Sequence, residues 1–238
     1  MKKVFWEIVN LFYPVTCSLC GQDLNPMLQT NICDRCRNSF NLITGNICQK
    51  CGAPLQSEGK FCYICKTRPK EYIFDEMRSV YEYKGSIRKL ILKFKYSNRS
   101  FLAKDFAKEM YKTIQNNNFY KETDFIMPVP LSIIRRIKRG YNQAVLLANE
   151  LSAKTEIAVL KDVLFRKKIT KPQFKLSKTE RFENMKNSFF VKNRKIIAGK
   201  NILLVDDIVT TASTICACSS VLKSCGAGKV FILTLSRD

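Results

Sequence analysis

The sequence predicts an α/β fold with a largely parallel sheet, preceded by a small cysteine-rich module. From residue 70 onward, strand-like apolar runs alternate with segments whose apolar residues recur at helical spacing. Eight of the eleven cysteines lie between Cys17 and Cys65, which marks that region as a separate module. At 238 residues, the chain is long enough for one full-sized core and this smaller unit.

Local signals set the predicted elements of the larger domain. Ser86 is suited to cap a helix, Pro130 ends a short buried strand, and Gly226 stops the last helix. The predicted strands cover residues 77–83, 125–129, 202–205 and 229–235, and the predicted helices cover residues 86–96, 101–115, 141–153, 177–185 and 213–224.

The first residues combine two lysines with the apolar run VFWEIVNLFYP. Glu7 and Asn10 interrupt this run and no small-residue cleavage site follows, so residues 1–16 are predicted to form an amphipathic helix packed on the domain behind it. Because no run of about twenty apolar residues occurs, no transmembrane segment is expected. Dense CxxC pairs suit a reducing compartment, and we expect a cytoplasmic protein.

The paired cysteines form an internal repeat of two zinc ribbons within residues 17–70. Two residues between cysteines let a tight turn aim both sulfurs at one ion, and Gly21 and Gly52 supply the positive φ of that turn. Four CxxC pairs in series fit neither disulfides in a reducing compartment nor a single redox pair. The repeat favours one Zn²⁺ on Cys17, Cys20, Cys33 and Cys36 and a second on Cys48, Cys51, Cys62 and Cys65, with cross-pairing left open.

Composition excludes some chemistry and favours one class of partner. The chain has no histidine, which rules out a histidine general base or metal ligand. Four thiolates leave no open position on zinc, so the ribbons suit docking or nucleic-acid contact better than metal catalysis. The net charge of +21 favours phosphate-rich partners, although a basic surface that only maintains solubility is the alternative.

Basic residues interleaved with aromatic ones suggest a surface for single-stranded DNA. Cations contact phosphates in such surfaces and rings stack on bases. The alternative for the first cluster is a helix with a core face at Leu90, Ile91 and Phe94 and with lysines facing water. The candidate nucleic-acid residues are Lys93, Lys95, Arg135, Arg136, Lys138, Arg139, Lys167 and Lys168.

Residues 203–214, LLVDDIVTTAST, join a strand to a helix through two aspartates and a hydroxyl-rich turn. Backbone N–H groups at a helix start, with small hydroxyl side chains, suit a 5′-phosphate, and the aspartates can accept hydrogen bonds from ribose hydroxyls. An acidic turn capping a helix would explain Asp207 or Thr211 singly but not the series. The predicted ligand-binding residues are Val205, Asp206, Asp207, Ile208, Val209, Thr210, Thr211, Ala212, Ser213 and Thr214.

This run resembles the loop of type I phosphoribosyltransferases that binds phosphoribosyl pyrophosphate (PRPP), and the chain resembles the ComF family of competence-associated proteins. Other segments that carry the resemblance are FKYSNRSFLA, PVPL, RRIKRGYNQA and KPQFKLSKTERFENMKNSF. The resemblance implies a type I phosphoribosyltransferase-like, Rossmann-like domain at residues 71–238, with Mg²⁺ bound alongside PRPP. It places Asp206 and Asp207, the expected catalytic residues, at the ribose and residues 210–214 at the 5′-phosphate. A covering loop is implied at residues 171–181.

Three functions remain open from the resemblance. The first is binding of PRPP or a nucleotide and single-stranded DNA during DNA uptake in natural transformation. The second is an active phosphoribosyltransferase of nucleotide salvage or synthesis, and the third is an adaptor whose ribbons dock a DNA-uptake helicase. Type I transfer needs positioning and charge neutralisation more than a strong base, so the missing histidine does not exclude it. One departure is Ala212, where many relatives have glycine.

Overall fold

The computed structural model describes residues 14–167 and 188–238. A four-stranded sheet in the order β1-β6-β5-β2 forms the larger domain, and each neighbouring pair runs parallel. The strands β3 and β4 form a separate antiparallel pair. These findings confirm the predicted α/β class. The strands are β1 (Glu76–Glu82), β2 (Phe125–Pro128), β3 (Leu164–Arg166), β4 (Phe189–Val191), β5 (Ile202–Val209) and β6 (Val230–Arg237).

The described residues include α-helices in both the ribbons and the larger domain. Short 3₁₀ helices cover Pro26–Leu28, Asn118–Glu122 and Arg194–Ile196. No helix in residues 14–167 and 188–238 has the length and apolar character needed to cross a membrane. The α-helices are α1 (Asp34–Asn38), α2 (Tyr63–Thr67), α3 (Gly85–Tyr96), α4 (Leu102–Gln115), α5 (Ile133–Arg139), α6 (Gln143–Thr155) and α7 (Ser213–Ser224).

Strand β5 is buried on both faces, as expected for a central parallel strand. Leu203 and Val205 join a core cluster with residues of α3, α4 and α6. Ile202 and Leu204 join a second cluster with residues of α7 and the β3–β4 pair. The alternation follows the two-residue period of a strand, so β5 and the residues that follow it are held by packing from both sides.

The two ribbons share these cores with the larger domain. Leu24, Ile32 and Phe40 of the first ribbon belong to the cluster of α3, α4 and α6. Cys48 and Cys51 of the second ribbon belong to the cluster of α7. The ribbons are therefore continuous with the hydrophobic core of the larger domain.

A buried carboxylate fastens the first ribbon to α4. Asp105, which is 5% exposed, accepts hydrogen bonds from the hydroxyl of Thr30 and from the backbone and side-chain N–H groups of Asn31. Arg37 lies 3.2 Å from Asp105 and 2.9 Å from Glu109. Hydrogen bonds from these donors offset the free-energy cost of burying the charged carboxylate.

Gly21 and Gly52 follow the first CxxC of each ribbon and have φ values of +80° and +65°. The sequence-based prediction of positive φ at both positions is confirmed. At Gly52, a Cβ atom would lie 2.6 Å from the carbonyl oxygen of Met77, whereas nothing lies within 4 Å of that position at Gly21. Glycine at residue 52 therefore also permits close contact between the second ribbon and β1.

Several predicted boundaries differ from the structure. The strand predicted at 202–205 continues to Val209, because Ile208 and Val209 keep pairing with β6. The last strand likewise runs from Val230 to Arg237 rather than over 229–235. Asp206 and Asp207 therefore lie within β5 rather than after it, and backbone pairing holds their main chain rigid.

The helix starts also need correction. Ser86 is not the cap of α3, because the helix begins one residue earlier, at Gly85, with Lys84 in the cap position and no side-chain capping bond. Helix α6 begins at Gln143 rather than at residue 141, since the Asn142 side chain accepts a hydrogen bond from the Ala144 N–H at 3.1 Å.

Other predictions differ by a residue or lie outside the described part of the chain. Helix α4 begins at Leu102 and β2 ends at Pro128, one residue from the predicted limits. Helix α5 was not predicted, because none of its residues is buried and it lacks a core-facing apolar pattern. The predicted helix at 177–185, the implied covering loop at 171–181 and residues 1–13 of the predicted N-terminal helix lie outside the described residues.

Candidate phosphoribosyl pocket and zinc sites

A cavity of about 300 Å³ opens at the carboxyl ends of the parallel strands. Residues 206–215 form one wall, and Tyr83 and Val129 contribute from the residues that follow β1 and β2. Open α/β sheets bind ligands at this edge. The structure thus brings the predicted residues Asp206 to Thr214 to one cavity, whereas Val205 lies fully buried in the sheet.

The start of α7 provides an anion cradle. Ala212 has φ 56° and ψ 1°, a left-handed conformation that turns the chain sharply into the helix. The first intrahelical bond runs from the Cys216 N–H to the Ala212 carbonyl at 2.8 Å. Earlier N–H groups have no helical acceptor, and the helix dipole adds positive potential there. The hydroxyls of Thr211 and Ser213 are 2.9 Å apart beside this turn.

Two carboxylates lie beside this cradle. The Asp207 side chain is 9% exposed, and its Oδ1 lies 3.1 Å from Nζ of Lys95. The backbone N–H of Asp207 donates to Oδ1 of Asp206 at 2.8 Å. Burial, followed by the neighbouring Asp207 charge, raises the pKa of Asp206 to about 7. Both side chains line the cavity, so their neighbouring carboxyl oxygens can accept hydrogen bonds from two adjacent hydroxyl groups.

Arg139 is held in the pocket by three contacts. It donates to Oε1 of Gln143 at 2.9 Å and to the hydroxyl of Tyr96 at 3.2 Å, and it lies 5.0 Å above the Tyr96 ring. The Arg139 hydrogen bond lowers the pKa of Tyr96. Gln143 is itself only 1% exposed, so the guanidinium has a rigid support.

Arg166 and Arg135 bring further positive charge to the cavity. The guanidinium of Arg166 lies 5.5 Å from the Phe189 ring, and its Nε is buried without a hydrogen-bond partner in the described residues. Burial, followed by repulsion from Arg135, lowers the pKa of Arg166. An anionic ligand would offset both effects.

The remaining basic candidates have different surroundings. Lys93 donates to the carbonyl oxygen of Ser18 in the first ribbon at 2.6 Å, so its ammonium contacts the ribbon rather than open solvent. Arg136, Lys138 and Lys167 are exposed, and Lys168 lies outside the described residues. A shared nucleic-acid role for these residues stays a prediction.

The cavity also includes residues that the sequence did not single out as ligand-binding: Tyr83, Asn142, Gln143 and Arg166. The polar pair at 142–143 starts a helix directly after a basic run, which was the available signal. Nothing in the sequence pattern indicates that Tyr83 and Arg166 face the same cavity, because this depends on the tertiary arrangement of β1 and β3.

Both four-cysteine groups have the geometry of zinc sites. Within each group, all four sulfurs lie within 4.8 Å of one another. The Cys20–Cys33 and Cys51–Cys62 sulfur pairs are 3.8 and 3.7 Å apart. Sulfurs about 2.3 Å from a tetrahedral centre would be about 3.8 Å apart, so the donor set fits Zn²⁺. The chain has two four-cysteine zinc-binding sites, and the sequential pairing is confirmed.

Backbone N–H groups prepare one thiolate in each site. Burial raises the pKa of Cys17, but N–H groups including those of Cys20 and Cys33 outweigh it and lower the pKa to about 6. Burial opposes the same effect at Cys48, where N–H groups including that of Cys51 lower the pKa to about 7. Thiolates bind zinc, so these N–H groups favour the ligand form of Cys17 and Cys48, whereas burial raises the pKa of Cys36 and Cys65 in the same sites.

Comparisons with known proteins agree with this architecture. A double zinc ribbon domain matches residues 8–66, and a phosphoribosyl transferase domain matches residues 102–238. Competence protein F of Haemophilus influenzae is 29% identical over 95% of this chain and 98% of its own length. Competence protein ComFC of Bacillus subtilis is 30% identical over 87% of this chain and 84% of its own length. The DNA utilization protein YhgH of Escherichia coli is 28% identical over 95% of this chain and 99% of its own length.

The fold and the two sites define a zinc-ribbon protein with a type I phosphoribosyltransferase-like domain. The similarity to the competence proteins extends through both parts. The chain therefore belongs to the ComF family of competence and DNA-utilisation proteins.

Proposed function

We propose that this protein binds PRPP, or a nucleotide, together with single-stranded DNA during DNA uptake in the cytoplasm. The observation that carries the first part is the juxtaposition of two carboxylates with an open helix N-terminus in one cavity. The carboxylates accept hydrogen bonds from the ribose hydroxyl groups, and the N–H groups of residues 213–215 bind the 5′-phosphate. Lys95 and Arg139 line the same cavity and would offset the charge of the pyrophosphate, with Mg²⁺ bound alongside PRPP.

Calorimetric titration of the zinc-loaded protein with PRPP and Mg²⁺ tests this part. Thr211→Val removes one cradle hydroxyl without changing side-chain size, and Asp206→Asn removes one carboxylate. Each is expected to weaken binding about tenfold, since a hydrogen bond to a charged group contributes about 1.5 kcal/mol or more. Thr113→Val on α4 is the matched control and leaves the affinity unchanged. Equal affinity in all four proteins contradicts the assigned site.

The DNA part is supported by α5. None of its seven residues is buried, and Ile134 and Ile137 are 80% and 79% exposed, so the helix contributes little to the core. It carries Arg135 and Arg139, which line the cavity, and the exposed residues Arg136 and Lys138, and the Tyr96 ring lies next to Arg139. Cations next to an exposed ring match the needs of a sequence-tolerant single strand. The competence and DNA utilization names of the relatives agree with this role.

Charge reversal separates DNA binding from PRPP binding. Arg136 and Lys138 are exposed and do not line the cavity. For a single-stranded oligonucleotide, the slope of log affinity against log salt concentration is negative, at about −0.7 per phosphate contact. Reversing both residues to glutamate removes two contacts and should make this slope less negative by about 1.4. PRPP affinity should stay constant. Reversal of Lys108 and Lys121 is the control, and oligonucleotide binding that is insensitive to the Arg136 and Lys138 reversals contradicts the role of α5.

An active transferase is the second candidate, favoured by the cavity cations. Lys95, Arg139 and Arg166 line the cavity and would stabilise a departing pyrophosphate. Release of pyrophosphate from PRPP and Mg²⁺ in the presence of a panel of nucleobases tests it. Retained PRPP binding with no release for any base excludes transfer to those acceptors.

A helicase-docking role for the ribbons is supported by exposed side chains at the second ribbon. Tyr63 is 77% exposed, and Phe61 and Ile64 are also exposed. Because the ribbons share the core of the larger domain, deleting them would disturb the whole fold. Point replacement of Phe61 and Tyr63 by serine is the appropriate test: loss of helicase capture with unchanged PRPP affinity supports docking, and unchanged capture contradicts it.

A further inference from the structure

The last turn of α3 contacts both the first zinc site, formed by Cys17, Cys20, Cys33 and Cys36, and the phosphoribosyl pocket. Lys93 reaches the ribbon, whereas Lys95 and Tyr96 reach groups in the pocket. Phe94 lies fully buried between them. Four consecutive residues therefore join two sites that belong to different domains.

The contact at the ribbon depends on the first CxxC turn. Nζ of Lys93 donates to the carbonyl oxygen of Ser18 at 2.6 Å, and Arg99 donates to its hydroxyl at 3.3 Å. Ser18 is 3% exposed and lies between the ligands Cys17 and Cys20. Zinc fixes the backbone of such a turn by binding both sulfurs. The position of the Ser18 carbonyl, and hence of Lys93, therefore depends on the metal.

The contact at the pocket is made by Lys95, which lies in the last turn of α3 as Lys93 does. Nζ of Lys95 lies 3.1 Å from Oδ1 of Asp207, and the two side chains are 13% and 9% exposed. A poorly solvated ion pair is favourable only when its geometry is well held. A displacement of Lys95 would leave Asp207 beside Asp206 without its compensating charge, which alters the groups that face the ribose.

Close packing around Phe94 holds the last turn of α3 in place. The Phe94 ring lies 5.3 Å from Phe106 and 6.0 Å from Tyr141. The Phe94 carbonyl accepts hydrogen bonds from the Tyr141 hydroxyl and from Nε2 of Gln143. Closely packed elements transmit displacement because they have little room to deform.

We infer that residues 93–96 couple the first zinc site to the phosphoribosyl pocket, with Lys93 as a positioning residue that acts through Lys95. Loss of zinc from this site then lowers PRPP affinity. By thermodynamic reciprocity, PRPP raises the zinc affinity of the site by the same factor. The inference rests on the proposed binding of PRPP and adds its dependence on the ribbon.

A double-mutant cycle tests the route. Lys93→Met keeps the aliphatic stem and removes the ammonium, Cys20→Ser weakens the first zinc site, and Lys89→Met is the control because Lys89 is an exposed lysine on the same helix. In calorimetric titrations with PRPP and Mg²⁺, each of the first two replacements should raise Kd about tenfold. Their combination should also give about tenfold rather than hundredfold, because both interrupt one route. Lys89→Met should leave Kd unchanged.

A second measurement uses the unaltered protein and does not depend on the stability of a variant. Zinc in the first site is removed with a chelator in the presence and absence of PRPP and Mg²⁺. PRPP should raise the chelator concentration for half-removal about tenfold.

The outcomes separate the two proposals. No PRPP binding by the zinc-loaded protein overturns the proposed function and the coupling together. PRPP binding with an unchanged Kd in Lys93→Met, a hundredfold effect in the double variant, or zinc removal that is insensitive to PRPP overturns the coupling alone.

Discussion

Replacing Asp206 with asparagine should stabilise the ligand-free protein at neutral pH. Burial and the neighbouring Asp207 charge raise the pKa of Asp206 from 3.8 to about 7. A shift of about 3 units corresponds to a ceiling of about 4 kcal/mol, and solvent in the open cavity reduces this to about 2 kcal/mol. Asparagine keeps the oxygen that accepts from the Asp207 N–H, so this backbone contact survives. For a chain of this size, the unfolding midpoint should rise by about 4–8 °C.

The direction of the Asp206 pKa shift determines how the stability difference between parent and variant depends on pH. A raised pKa means that the folded protein binds the Asp206 proton more tightly than the unfolded chain. The resulting loss of stability therefore develops as pH rises from about 4 to about 7 and is constant above this window. The variant lacks this loss, so its advantage over the parent should be absent near pH 4 and complete near pH 8.

Calorimetric unfolding of parent and variant at matched zinc concentration, without PRPP, measures the difference at each pH. Asp124→Asn is a control with the opposite sign, because the Asn201 N–H and Lys200 lower the pKa of Asp124. That replacement should destabilise the protein at neutral pH. A pH-independent difference for Asp206→Asn, or one that becomes less favourable with rising pH, refutes the electrostatic assignment.

Three further predictions concern the ribbons. In urea unfolding, Gly21→Ala should lower the free energy of unfolding by about 1 kcal/mol, because alanine is strained in a left-handed backbone. Gly52→Ala should lower it by at least about 2 kcal/mol more, because its Cβ would also meet the Met77 carbonyl oxygen. Equal losses in the two variants would contradict the close contact at Gly52. Asp105→Ala should cost about 3 kcal/mol, since it leaves several donors of the first ribbon without a buried acceptor, and a cost below about 1 kcal/mol would contradict that clamp. Zinc removal should lower the stability of the larger domain as well as that of the ribbons, because they share core clusters, and calorimetry would contradict this if only a ribbon transition changed.

Sequence patterns predicted the features that depend on nearby residues. Hydrophobic periodicity located the parallel strands and most helices, and the CxxC repeat gave the pairing of the zinc ligands. The run from residue 203 to 214 placed the carboxylates and the helix start in one stretch of chain. Such signals are local, so they survive in a single sequence.

Features that depend on tertiary contacts could not be predicted in the same way. The aspartates lie inside β5 because β6 continues to pair with them, and pairing length is not written in the local pattern. Arg166 reaches the cavity from β3, and Lys95 reaches Asp207 from α3. Lys93 belonged to a predicted nucleic-acid cluster, yet its ammonium contacts the first ribbon. Only the folded arrangement distinguishes these three roles among similar basic residues.

Amide NMR of the zinc-loaded protein during titration with ribose 5-phosphate tests whether the cavity at the start of α7 binds a phosphoribosyl group. Ribose 5-phosphate carries the ribose hydroxyls and the 5′-phosphate but lacks the pyrophosphate, so it isolates the assigned contacts. Binding at this site should give saturable shifts that are largest for the N–H groups of residues 210–215, with smaller shifts at Asp206 and Asp207. Shifts confined to α5 or the ribbons, with residues 206–215 unchanged at saturation, would contradict a phosphoribosyl site at the start of α7.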